Sequence, residues 1–548
     1  MTTTTPTRTA LDPATLEVHW NRLITIMDEV DLAVVRTALS TIVAESRDFA
    51  VTLLNARAEG LAQSVLSLAH FTTMIPRTAR LMLEKYPPET LREGDVLLTN
   101  DPWLASGHLP DLNVVKPVFY KGRLVAYIGC AAHVSDMGGT LTYFGARDVY
   151  EEGLRIPPCK VYDAGEPNEQ VLEILAANVR VPDTVLGDLR AMLAATNVGE
   201  RQLCEFLEDT GLDDIDELSR AIQERSERVM RRTIAEIPDG VFSHSVEIDG
   251  HRDPTAPTTE PAEPHVIAAT VTVRGEEMEI DYEGTSPETR NAAVNAVYAF
   301  TVGETLNALK AALVPEIPNN EALFAPISIV APEGSLLNAR FPAPVKGRSI
   351  TGLHAHEAVF GALAEAMPER VQAGTGVALL MVVNGQHPDG TPFNAFLLAA
   401  GGMGALNEKD GHNVANFPVN CSIAPTEIFE NHVPLLLMRK EMLAGSAGAG
   451  RQRGGLGQRL VLRTSGDTPA TITTRPNNRQ FPPPGLLGGE PGQLCKVTLN
   501  GEPFEPTLLT LRPGDEFVCD LPGGGGIGDP ADRDPALVER DHALGYVE

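Results

Sequence analysis

The stretch Gly94–Gly139, GDVLLTNDPWLASGHLPDLNVVKPVFYKGRLVAYIGCAAHVSDMGG, sets polar, ligand-like side chains into a pattern of apolar strands. Val114–Cys130 reads as a β-hairpin: VVKPVFY is one arm, Lys121-Gly122-Arg123 the turn and LVAYIGC the other arm. Paired apolar runs around a short Gly-containing turn are the sequence signal for a hairpin. His108 and Asp111 stand three apart in a Gly/Pro-bounded loop before it, and His133 and Asp136 stand three apart at its far end. A hairpin brings its outer ends together, so the two His/Asp pairs are expected to meet.

Two imidazoles and two carboxylates offer nitrogen and oxygen ligands with no thiolate at ligand-like spacing, a set that suits Mn, Fe or Zn better than Ca or Mg. The same residues would also serve as ordinary loop and turn-cap positions. Asp48, which opens the apolar run DFAVTLLN, is either an exposed strand cap or a further carboxylate of the site.

The rest of the chain limits the possibilities. Its 548 residues are 43% hydrophobic, enough for several cores, and carry 44 Lys+Arg against 73 Asp+Glu, a net charge of −29. That charge argues against nucleic acid or an anionic membrane as partner. The six cysteines (Cys130, Cys159, Cys204, Cys421, Cys495 and Cys519) are dispersed and form no C-x-x-C, so free thiols are expected. No apolar run is long enough to span a bilayer. The start, MTTTTPTRTALDP, lacks the apolar core of a secretory signal, so a cytoplasmic protein is expected.

Periodicity predicts an α+β fold of several domains. Helix is expected over 14–46, strand over 48–55 and helix over 70–86, stopped by Pro87-Pro88. The loop 142–160, TYFGARDVYEEGLRIPPCK, carries Arg147, Asp148, Glu151, Glu152 and Arg155 beside the hairpin. Three helical segments follow over 167–236, then short strands from about Pro238, with a hairpin around Gly275 and a surface loop at 251–264. Helices are expected over 291–314 and 353–366, with strands and turns alternating over 323–346. The last third is punctuated by glycine: AAGGMGA, GSAGAGRQRGGLG and LPGGGGIGDP. Tight turns and close backbone approaches are the main reading of those glycines. No phosphate loop of the G-x-x-x-x-G-K-[ST] type and no G-x-S-x-G elbow is present. The expected divisions are 1–165 (N-terminal helices and metal-site hairpin), 166–237 (helical block), 238–400 (α+β) and 401–548 (Gly/Pro-punctuated β).

The quoted stretch resembles the B subunit of the hydantoinase/oxoprolinase family. EEGLRIPPCK, NVRVPDTVLGDLRAMLAATNVGERQL, EIDYEGTSPETRNAAVNA, PEIPNNEALFAPISIVAPEGSLLNARFPAPVKGR, GAGRQRGGLG and LPGGGGIGDPADRDPALVERDHALGYV match in the same order, over nearly the whole chain. The resemblance implies a metal subunit with a divalent Mn, Zn or Fe. It also implies an A-type partner that carries ATP and Mg, the two joined as a hetero-oligomer acting on a small molecule. Carried over by motif, the metal ligands are His108 and Asp111 in GHLPD, His133 in AAHVSD and Asp48 in SRDFA, with Asp136 ligating or adjoining them.

The implied function is ATP-dependent opening of a hydantoin, oxoproline or lactam ring. His133 and Asp136 are the candidate catalytic groups, with Arg155 as a candidate oxyanion ligand. Otherwise Arg155 pairs with Glu151 or Glu152 on the surface. The sequence departs from the family around Leu104-Ala105-Ser106 and at Glu288, where Gln is frequent. It also lacks the long C-terminal extension of acetone carboxylase subunits, which favours ring hydrolysis. The alternatives are a subunit of an ATP-dependent ketone carboxylase and a scaffold subunit without chemistry of its own.

Overall fold

The computed structural model describes residues 12–547 apart from 142–145, 251–261, 291, 416, 506 and 507. Most of the expected 251–264 loop and the start of the 142–160 loop thus lie outside the described residues.

The fold is α+β, with several sheets and packed helices. Its first sheet carries the quoted stretch. Seven strands, β1 (Phe49–Asn55), β2 (Gly60–Gln63), β3 (Val96–Thr99), β4 (Asp111–Tyr120), β5 (Arg123–His133), β6 (Cys159–Asp163) and β7 (Glu166–Pro167), lie in the order β2-β1-β5-β4-β3-β6-β7. Every pairing in it is antiparallel. The β4–β5 hairpin forms where expected but turns on two residues, because Tyr120 pairs with Arg123. Lys121 (φ 50°) and Gly122 (φ 75°) both adopt the left-handed backbone that such a turn requires.

Helices cover both faces of this sheet, which is why its central strands read as continuous apolar runs. Gly199 of the helix Pro182–Thr210 packs against Val30 and Ile128, while Gly129 faces Ile75 of the helix Phe71–Lys85. Successive strand residues point to opposite faces, so Ile128 and Gly129 contact different helices. A Cβ on Gly129 would stand 2.3 Å from Ile75 Cγ2, which explains a glycine inside a central strand.

The expected helix over 14–46 is broken. Asp12 caps the helix Pro13–Thr37, accepting from the backbone of Ala14 and Thr15, and Leu16, Trp20, Leu23, Met27, Val30 and Val34 are buried along one stripe. The chain then extends at Ala38, and Ser40 caps a single turn, Thr41–Ala44. The buried Asp188 accepts the backbone N–H groups of Leu39 (2.8 Å) and Ser40 (3.0 Å), which compensates for the lost helix bonds. The expected helix from 291 begins at Tyr298, because Asn295 ties the preceding loop to Thr289 and Pro344. Within 323–346 the only strand among the described residues is Ile327–Val330; it follows the short 3-10 helix Glu321–Phe324, and turns with isolated bridges at Ser335 and Asn338 come after it.

The middle block is three helices, Glu169–Asn178, Pro182–Thr210 and Asp216–Ile234. A four-stranded sheet follows and contains the hairpin around Gly275. Two further sheets of the last third enclose a second apolar core that includes Leu379, Leu435, Leu460 and Phe517. Between their strands the glycine-rich segments pack backbone on backbone. A Cβ on Gly402 would lie 1.9 Å from Gly455 O, and one on Gly454 1.9 Å from Gly524 O, so no side chain fits. All six cysteines are free, as expected.

Candidate metal centre and active site

Antiparallel register builds the site. Asp111, the first residue of β4, lies directly opposite His133, the last of β5. On the other side of β5, Phe49 pairs with Ala132, and His133 donates its backbone N–H to Asp48 O at 3.0 Å. Asp48, His133 and Asp111 therefore end three adjacent strands at one edge, and His108 hangs over them from the loop three residues before Asp111. His108, Asp111 and His133 each place one ligand atom within 4.8 Å of the others.

Asp111 is the hub of the cluster. Its Oδ1 lies 2.6 Å from His108 Nε2 and 3.6 Å from His133 Nδ1. Arg348 donates to its Oδ2 at 2.7 Å. The Asp48 carboxylate stands 3.5 Å from His133 Nδ1. Burial alone would raise the Asp111 carboxyl, but the Arg348 guanidinium and His108 outweigh it and hold it well below the usual range. Asp48, partly buried and facing the Asp111 charge with only partial relief from Arg348, is pushed up to about 7. Burial, then the neighbouring His108, lowers His133 to about 3; burial and Arg348 lower His108. Both imidazoles are thus neutral, the form that ligates metals.

The residues fit a metal on a further observation. His108 Nδ1 lies 3.1 Å from Lys346 O, a carbonyl that only accepts, so Nδ1 carries the proton. Nε2 of the neutral ring then turns a lone pair towards Asp111 Oδ1. Two acceptors 2.6 Å apart require a shared cation, either a proton or a metal ion. A backbone carbonyl fixing the far ring nitrogen is also the usual way a ligating histidine is oriented. His108, Asp111 and His133, with Asp48 beside them, could hold a divalent transition metal.

The cluster opens on a cavity of about 130 Å³. Phe300, Ile350, Leu353, Val382 and Phe396 give it apolar walls; His70 and Glu304 are polar groups within it.

The structure places the other expected site residues differently. Asp136 lines the same cavity, but its carboxylate is held by Arg180 at 2.6 Å. Arg155 is not brought to the cluster. It pairs with Asp101 at 2.9 Å, not with Glu151 or Glu152, and its guanidinium lies 4.7 Å over the Phe341 ring at a separate surface cleft. Glu151 pairs with Arg147, and Glu152 is buried, accepting the Lys346 backbone N–H at 2.8 Å.

Sequence reading missed Arg348, Lys346, His70 and Glu304. Arg348 and Lys346 close the conspicuous segment Pro344-Val345-Lys346-Gly347-Arg348, but no spacing ties that segment to a hairpin more than 200 residues earlier. Gly107 was a local signal: it adopts φ +102°, and a Cβ there would lie 2.7 Å from Arg348 Cδ. The glycine lets the arginine through.

The sequence pattern of the family Hydantoinase B/oxoprolinase matches residues 12–530. The chain is 32% identical over 561 residues to the caprolactamase subunit beta of Pseudomonas jessenii, covering 98% of this chain and 94% of that one. It is 27% identical over 547 residues to the 5-oxoprolinase of Dictyostelium discoideum, covering 95% of this chain and 40% of that longer one. The crystal structure of ATP-dependent caprolactamase from Pseudomonas jessenii superposes with a TM-score of 0.89 at 28% identity, over 98% of this chain and 95% of that one.

Proposed function

The chain belongs to the hydantoinase B/oxoprolinase family, and from that premise we propose that it is the metal-binding subunit of an ATP-dependent enzyme that opens a cyclic amide ring. The observation that carries the proposal is the His108–Asp111–His133 cluster, its first two residues buried, against a largely apolar cavity. Relatives named for a lactam and for oxoproline support the choice of a cyclic amide.

An unstrained amide is a poor electrophile. In this reading ATP, bound by an A-type partner, converts the amide oxygen into a phosphate leaving group, and water opens the ring in this chain's cavity. A divalent metal, when bound, supplies Lewis acidity to an oxygen at the site. The chain's own residues set up that chemistry. Arg348 fixes Asp111 with Oδ1 towards the two imidazoles, and the Lys346 carbonyl fixes the His108 tautomer. The Asp48 carboxylate, 3.5 Å from His133 Nδ1, adds a further oxygen at the edge of the cluster. Phe300, Leu353 and Phe396 exclude bulk solvent and accept the hydrocarbon part of the ring. Asp136, through Arg180, holds the rim.

The test is to assemble the purified chain with its A-type partner and a divalent metal and follow ring-opened product with ATP, with and without bicarbonate. Product that forms without bicarbonate is expected. Strict dependence on bicarbonate would identify a carboxylase instead. A chain that stays metal-free and only alters the partner's ATP turnover would be a scaffold.

A further inference from the structure

Two buried groups in the same cavity make no hydrogen bond among the described residues. His70 immediately precedes the helix Phe71–Lys85, and Glu304 lies within the helix Tyr298–Leu313. His70 is 5% exposed and Glu304 0%, and both line the cavity. Neither ring nitrogen of His70 and neither carboxylate oxygen of Glu304 has a hydrogen-bond partner there. Their closest approach is 3.3 Å, between His70 Nδ1 and Glu304 Oε1. The packing makes this juxtaposition deliberate. The two helices come so close that a Cβ on Gly303 would lie 2.3 Å from Met74 Cε and 2.8 Å from His70 O.

Native proteins satisfy almost all their buried polar atoms. Four unsatisfied atoms side by side in a cavity therefore point to a ligand that supplies the missing partners. Whichever of the two groups holds the proton, the pair presents at least one donor and one acceptor to the cavity. Burial raises the Glu304 carboxyl and lowers the His70 imidazole. A small ring locks its amide in the cis form, which puts N–H and C=O on one edge, so a secondary cyclic amide shows a donor and an acceptor side by side.

We propose that Glu304, with His70 3.3 Å away beside it, receives the ring N–H of the substrate, so that the site selects secondary cyclic amides over N-alkylated ones. This rests on the ring-opening reading above. Glu304 is the specificity-determining group, and His70 is a positioning residue that acts through it. An N-methylated ring offers no donor and leaves the Glu304 oxygen buried and unpaired, the situation in which sites built around a substrate hydrogen bond discriminate most strongly.

The experiment compares ε-caprolactam and hydantoin, each with its N-methyl counterpart (3-methylhydantoin for the latter), as substrates of the complete enzyme with A-type partner, ATP and metal. Wild type is expected to prefer the N–H ring by about 10⁴-fold in kcat/KM. Glu304→Met should erase that preference by lowering turnover of the N–H ring while leaving the N-methyl ring nearly unchanged. Glu304→Gln, which keeps an acceptor oxygen, should retain most of it, and His70→Phe should fall between. Damage to the fold would instead lower both rings in proportion, and melting curves and metal content of each variant identify it. A well-folded Glu304→Met enzyme that keeps the wild-type preference overturns this inference and leaves the ring-opening reading intact. A wild-type enzyme that opens none of these rings, nor 5-oxoproline, with ATP overturns both.

Discussion

Arg348 donates to Asp111 Oδ2 at 2.7 Å and so leaves Asp111 Oδ1 to the two imidazoles. Both side chains of this pair are almost fully buried. Removing one partner of a buried ion pair strands the other charge and costs about 3–5 kcal/mol. Arg348→Met is therefore expected to lower the melting temperature and to weaken metal binding by about 10- to 100-fold, as loss of a ligand-orienting partner does elsewhere. Calorimetric titration of metal into the variant checks this; unchanged affinity and unchanged melting would contradict the role given to Arg348.

Gly107 provides a second route to the same pair. Gly107→Ala adds strain at φ +102° and a Cβ 2.7 Å from Arg348 Cδ. The expected outcome is lower metal affinity in a wild-type background and little further loss in an Arg348→Ala background, because contacting residues couple. Independent, additive losses in the two backgrounds would show that Gly107 does not act through Arg348.

Glu152 makes the protein's stability depend on pH. Burial raises its carboxyl from 4.5 to about 8, only partly opposed by the Lys346 backbone and ammonium. A group whose folded affinity for protons is raised stabilises fully below its unfolded value and loses that contribution as pH rises through the folded value. Wild-type stability should thus fall between about pH 4.5 and 8. Glu304 and Asp48 push the same way. Glu152→Gln keeps an acceptor for the Lys346 N–H, so it should flatten the slope and gain on wild type most at pH 8. Melting curves at pH 5 and 8 that shift equally in both proteins would refute it.

The hairpin and its flanking His/Asp pairs were legible because register is local physics: two apolar arms around Lys121-Gly122 leave no other way for Asp111 and His133 to pair. Asp48 was legible only as a strand-opening carboxylate and a motif match; the pairing of β1 with β5 that sets it beside His133 has no local signal. Arg348, His70 and Glu304 were not, because they reach the cavity through helix packing and loops far along the chain, where no periodicity records the contact. Arg155 looked right by position, in a charged loop beside the hairpin, but Asp101 and the Phe341 ring hold it at another cleft. The break at Ala38–Ser40 was hidden because its compensating acceptor, Asp188, comes from a helix about 150 residues later.

Metal content should follow the cluster. His108→Ala and His133→Ala each remove one nitrogen donor of the three-residue group and should purify with little tightly bound transition metal. Arg155→Ala, whose side chain stands at the other cleft, should keep the wild-type content. Elemental analysis showing equal metal in all three would mean that the metal lies elsewhere.

The central claim is that the edge formed by Asp48, His108, Asp111 and His133 performs the ring-opening step while a partner turns over ATP. The most direct measurement is product formed per ATP hydrolysed, in wild-type and His133→Ala enzymes assembled with the A-type subunit. The account predicts that His133→Ala loses product while ATP hydrolysis persists, uncoupled. A His133→Ala enzyme with the full wild-type yield of product per ATP would contradict it.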